Sequence, residues 1–117
     1  TQKTFTQQFI SAGEGMRNLY LSIKGYILSL GDDITENELK LYVAFKKVKN
    51  IACVEIYQSK ILINMPLNPS TVTLQKDFLR NMTGIGHYGT GNVQLIIRTV
   101  EDYEKAKPYL ERAYHEG

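Results

Sequence analysis

The spacing of apolar residues changes abruptly near residue 38, and that change limits the fold more than any other feature of the chain. Met16, Leu19, Tyr20, Ile23, Ile27 and Leu30 recur mostly three and four residues apart. That repeat aligns side chains along one stripe of a helix. From Leu39 the repeat becomes two: Leu39, Leu41, Val43 and Phe45 alternate with Lys40, Tyr42, Ala44 and Lys46, as on a half-buried strand. A chain that carries both periods puts amphipathic helices onto one face of a sheet. The helix is predicted over residues 13–30, with Ser11 and Glu14 in capping-box spacing before it and Gly31 as its stop.

The rest of the chain extends this pattern. Residues 1–10 read as a polar lead-in strap and Asp32 to Glu38 as an acidic connector. After the turn Lys47-Val48-Lys49-Asn50, strands are predicted over 51–57 and 60–65, joined tightly at Gln58-Ser59. Leu74, Phe78, Leu79 and Met82 suggest a helix over 72–82. A glycine-dense loop then leads to a strand in which Val93, Leu95 and Ile97 alternate with Gln94 and Arg98. Thr99 caps a last helix with Asp102 at the capping-box position, and Pro108 is expected to kink or split it. The order is α-β-β-β-α-β-α. It describes an α+β two-layer sandwich, a four-stranded antiparallel sheet with helices on one face.

At 117 residues the chain fits a single domain, 1–117, with one core. A start at Thr1 leads to the expectation of a piece cut from a longer protein. Cys53 is the only cysteine, so no internal disulfide can form, and a cytoplasmic setting is expected. No apolar stretch approaches the roughly 20 residues of a spanning helix, so no membrane partner is expected. The net charge of +2 is too small to select a partner by itself.

Chemistry-bearing residues are few. Gly84-Ile85-Gly86-His87-Tyr88-Gly89 has the letters of a dinucleotide fingerprint, but that motif follows a strand and opens a helix, the reverse of the order here. Four glycines in the eight residues Gly84 to Gly91 instead suit a tight loop, or a nest of backbone N–H groups for an anion. One interior histidine, His87, and one cysteine cannot build a zinc site, and no cofactor is expected. Cys53, within Ile51-Ala52-Cys53-Val54, reads as a small core residue rather than as a nucleophile. Alternation puts Lys40, Tyr42 and Lys46, Cys53, Glu55 and Tyr57, Lys60 and Asn64, and Gln94 and Arg98 on the polar face of the sheet. Tyrosines among cations can stack bases and hold phosphates, although antiparallel sheets commonly expose a mixed polar face without binding anything.

Lys40-Leu41-Tyr42-Val43-Ala44-Phe45-Lys46, the run Met82 to Asn92 and the segment Tyr103 to Tyr114 with its internal Pro108 resemble a bacterial and archaeal domain of unknown function. Its members are often labelled "predicted transport protein". The resemblance covers roughly residues 10–116, with Gly84, Gly86, His87, Gly89 and Gly91 matching its motif and Asn92 standing where Asp is more usual. It implies a domain at the C-terminal end of larger proteins, some with a nuclease-like N-terminal half reminiscent of defence systems. It brings no established activity.

The expected function is therefore a non-catalytic interaction module. Its contact surface is Lys40, Tyr42, Tyr57 and Arg98 with the loop residues Gly84, Gly86, His87, Tyr88, Gly89 and Gly91. Its partner is a covalently linked N-terminal domain, another protein or nucleic acid. A small-ligand or hydrolytic domain using His87, and a structural or dimerisation domain, are the alternatives.

Overall fold

A computed structural model describes residues 3–85 and 91–116 of the chain. Among these residues three helices, α1 (Phe5–Ser11), α2 (Glu14–Ser29) and α3 (Val100–Glu116), accompany six strands: β1 (Thr35–Glu38), β2 (Val43–Lys46), β3 (Asn50–Ile56), β4 (Ile61–Met65), β5 (Leu79–Asn81) and β6 (Val93–Ile97). They form one sheet in the order β1-β2-β3-β4-β6-β5, and every neighbouring pair is antiparallel.

Alternation decides what the sheet buries. Val43 and Phe45, Val54 and Ile56, Ile61, Ile63 and Met65, and Val93, Leu95 and Ile97 join one cluster with Leu19, Tyr20, Ile23 and Ile27 of α2. Phe5 of α1 and Ala106, Leu110 and Ala113 of α3 complete it. The helices thus cover one face, and removal of these side chains from water is the main force holding the two layers together.

The α+β class and the antiparallel pairing stand, but the four-stranded sheet and the order α-β-β-β-α-β-α do not: the sheet has six strands. The acidic connector contains β1, whose four residues are all exposed and carry no apolar repeat. Its hairpin partner β2 starts only at Val43, and Leu39 to Tyr42 form the turn, closed by Leu39 N–H donating to Tyr42 O at 2.8 Å.

The helix expected over 72–82 is absent. Pro69–Thr71 makes one 3-10 turn, Asp77 adopts a left-handed φ of 64°, and Leu79 begins β5. A left-handed residue cannot continue an α-helix, and it turns Gln75 back onto Leu79 as an isolated antiparallel bridge.

The lead-in strap is α1. Its capping box is Thr4 with Gln7, whose N–H donates to Thr4 Oγ1 at 3.1 Å while Thr4 N–H donates to Gln7 Oε1 at 2.9 Å. Ser11 ends α1, and α2 starts after Gly13 without a side-chain cap. Thr99 caps α3 as expected by accepting from Asp102 N–H at 3.1 Å, while Asp102 reaches one residue further back, to Arg98 N–H at 3.0 Å. Pro108 lies inside α3, which runs on past it as one helix to Glu116.

Gly31 is needed for space rather than for its conformation. A Cβ there would run into the hydroxyl of Tyr114 and lie 2.7 Å from Asp33 Oδ1. Tyr114 donates to that same oxygen at 2.8 Å, with Lys47 Nζ 4.5 Å above its ring. This contact ties the end of α3 to the segment after α2.

Candidate functional site: the helix-free sheet face

The register assembles the other face into rows. Ala44, Cys53, Asn64, Gln94 and Arg80 stand side by side across β2, β3, β4, β6 and β5. In the next row Glu55 pairs with Leu62 and Leu62 with Ile96. Since Val43 pairs with Val54, continuing that register brings Tyr42 beside Glu55. Beyond Ile56 and Ile61, Tyr57 N–H donates to Lys60 O at 2.9 Å, so Tyr57 and Lys60 head a third row that Arg98 extends. None of Ala44, Cys53, Glu55, Asn64, Gln94 or Ile96 belongs to the helix-side cluster, although all are buried.

A polar chain links the rows. Asn64, fully buried, donates from Nδ2 to Glu55 Oε2 at 3.3 Å and accepts from Gln94 Nε2 at 3.1 Å. Arg80 NH1 stands 3.5 Å from Gln94 Oε1, and the Tyr57 hydroxyl donates to Glu55 Oε1. Glu55 is 4 % exposed and Gln94 3 %. Polar groups this deep are tolerable only when bonded, and a bonded row fixes strand register more strictly than an apolar one. Partial burial, and then the nearby Cys53 thiol, push the Tyr42 hydroxyl above its usual pKa.

The rim of this face is accessible and carries the cations. Tyr42, Tyr57 and Lys60 are half-buried, while Lys40, Arg80 and Arg98 are exposed. Lys60 Nζ lies 6.0 Å from the centre of the Tyr57 ring. Arg98 donates from NH1 to Asp77 O at 3.2 Å.

The sequence-based candidates separate accordingly. Tyr42, Tyr57 and Arg98 share the helix-free face. Lys40 lies in the turn before β2 rather than on a strand, and its carbonyl accepts from Phe5 N–H at 2.7 Å. Gly84 takes a left-handed φ of 78° in a turn closed by Ile85 N–H donating to Met82 O at 3.0 Å. Gly91, at φ 140°, packs against the backbone of Met65. Gly86, His87, Tyr88 and Gly89 lie outside the described residues. Arg80 escaped the sequence reading because its segment was assigned to a helix.

Among the described residues, no group of three or more His, Cys, Asp and Glu side chains could hold a metal ion, and no helix is long and apolar enough to cross a membrane.

No protein-family model and no solved structure matches the chain. Over 100 residues it is 35% identical to an uncharacterized protein of Haemophilus influenzae, a match that takes in 84% of this chain and 32% of that protein. The chain therefore spans about a third of the length of the curated relative it matches. That match supports a domain of unknown function. The relative's name carries no activity, so the transport label and the nuclease-associated setting stay with the resemblance alone.

Proposed function

We propose that the chain is a non-catalytic interaction domain of a longer protein, and that its helix-free sheet face binds single-stranded nucleic acid. The observation that carries this reading is the join between an accessible rim and a rigid floor. Tyr42, Tyr57, Lys60, Arg80 and Arg98 flank a buried, hydrogen-bonded chain of Glu55, Asn64 and Gln94. Tyrosine rings offer stacking surfaces to any base, and the lysine and arginine heads meet the backbone phosphates. The floor keeps those side chains at fixed spacing, so little ordering is needed on binding.

Salt titration of binding to fluorescent single-stranded oligonucleotides, read by anisotropy, tests it. With Lys60, Arg80 and Arg98 each neutralising one phosphate, the logarithmic salt slope is about −2, and affinity falls roughly 20-fold between about 50 and 200 mM salt. The double substitution Lys60→Ala, Arg98→Ala lowers that slope to under about half. Salt-independent or undetectable binding refutes the reading.

A further inference from the structure

On the opposite side of the molecule, α1, α2 and the free edge of β1 enclose a groove of about 320 Å³. Its floor is apolar: Phe5, Phe9 and Tyr20 pack as an aromatic trio with ring centres 5.3 to 6.4 Å apart, and Leu21 beside them is 50 % exposed. Its wall is acidic. Glu36 and Glu38 pair with Phe45 and Val43, and since cross-strand partners point to the same face, both carboxylates lie on the helix side, along the groove. Lys24 pairs with Glu36 at 3.0 Å and Thr6 donates to Glu38 at 2.8 Å, so two carboxylates face one ammonium. Burial first, and then these two carboxylates, raise the Tyr20 hydroxyl above its usual pKa, so the trio stays neutral beside the negative wall.

The edge itself supplies main-chain partners. Leu39 N–H bonds to Tyr42 O across the hairpin turn, and alternate pairs bond in an antiparallel ladder. Thr35 and Asn37 therefore bond inward to β2, while the peptide groups of Glu36 and Glu38 turn outward at the end of the sheet. Short, charged edges usually exist to repel other strands. This one differs in having an apolar groove directly beneath it, on the side to which its carboxylates point.

We infer that this groove takes an extended peptide segment that adds to the edge of β1, setting a leucine-like side chain on the aromatic floor and a lysine or arginine against Glu38. The inference is independent of the nucleic-acid reading, because it uses the other face of the sheet. Strand addition gives affinity through the backbone, and alternate side chains entering the groove give specificity. The carboxylate wall selects a basic over an acidic segment.

Anisotropy with a fluorescein-tagged peptide of lysine-threonine-leucine-threonine-lysine, and with the same peptide carrying glutamate for lysine, provides the test. The basic peptide binds saturably and at least roughly tenfold more tightly than the acidic one. Glu38→Lys and Leu21→Ser each weaken it by roughly tenfold or more, whereas Lys60→Ala on the other face leaves it unchanged. Leu21 is half exposed, so Leu21→Ser is a surface change, and circular dichroism of each variant reports folding. Equal binding of the two peptides, no saturable binding of the basic one, or indifference to both groove substitutions overturns the inference.

Discussion

Replacing Gly91 by alanine isolates the cost of the closest backbone approach described in the fold. Gly91 stands at φ 140°, a region that L side chains avoid, and a Cβ there would lie 2.6 Å from Met65 O and 2.7 Å from Met65 C and N. The conformational penalty is about 1–3 kcal/mol. Forcing the last residue of β4 aside costs about 1–3 kcal/mol more, because the obstacle is backbone rather than the end of a mobile side chain. Asn92 N–H donates to Met65 O at 3.1 Å, so any displacement also strains that bond.

The expected loss is about 2–6 kcal/mol, a large part of the roughly 5–15 kcal/mol that holds a domain of this size together. Urea unfolding followed by circular dichroism reads it. With a slope of about 1.5 kcal/mol per M, the midpoint falls by roughly 1.3–4 M. Two other glycines make the comparison internal. Gly84 at φ 78° has nothing within 4 Å of its Cβ position, so Gly84→Ala loses only the conformational part, about 1–2 kcal/mol. Gly25, exposed within α2 and equally unobstructed, gains about 0.5–1 kcal/mol as alanine. A loss below about 1 kcal/mol at Gly91, or one equal to that at Gly84, refutes the steric argument.

Two more outcomes follow from contacts described above. Asn64→Ala removes a donor from Glu55 and an acceptor from Gln94 inside the sheet face, and it lowers unfolding free energy by about 2–4 kcal/mol in urea titrations; a loss under about 1 kcal/mol counts against the row as a structural element. The hydrogen bond from Tyr114 holds Asp33 below its ordinary pKa of 3.8. A depressed carboxyl stabilises the fold above the unfolded pKa and loses that contribution as pH falls through the folded one, so thermal midpoints of Asp33→Asn fall less steeply than wild type below about pH 4. Parallel curves would remove Asp33 from the acid response.

The parts of this fold that sequence periodicity revealed are those whose burial is one-sided and several residues long. The stripe Leu19, Tyr20, Ile23 and Ile27 gave α2, and alternation around Val43, Val54, Ile63 and Leu95 gave β2, β3, β4 and β6 on the correct face. The edge strands were illegible for opposite reasons. Thr35 to Glu38 buries nothing and so has no apolar repeat, whereas Leu74, Phe78 and Met82 mimic a helical one that Asp77 interrupts. α1 did carry a signal, the Thr4 and Gln7 capping box with Phe5 and Phe9, but its single apolar face is short.

At the candidate site, alternation placed Tyr42, Tyr57, Asn64, Gln94 and Arg98 on one face. It gave no hint that Asn64 and Gln94 are buried, because their neighbours depend on the register between strands up to thirty residues apart in the chain. Polar residues in a strand look solvent-facing until the partner that satisfies them is known.

The placement of β6 between β4 and β5 sets an order on assembly. β1 through β4 join by successive short turns, so each pairing closes a small loop and forms soon after its predecessor. β6 has to find β4 across the long excursion that contains the 3-10 turn and β5, and all five of its residues end up hidden. Closing that larger loop is the slowest geometric step the topology requires, and until it happens β4 keeps an open, sticky edge. The sheet's vulnerability to misassociation during folding is thus concentrated on the edge of β4 that waits for β6.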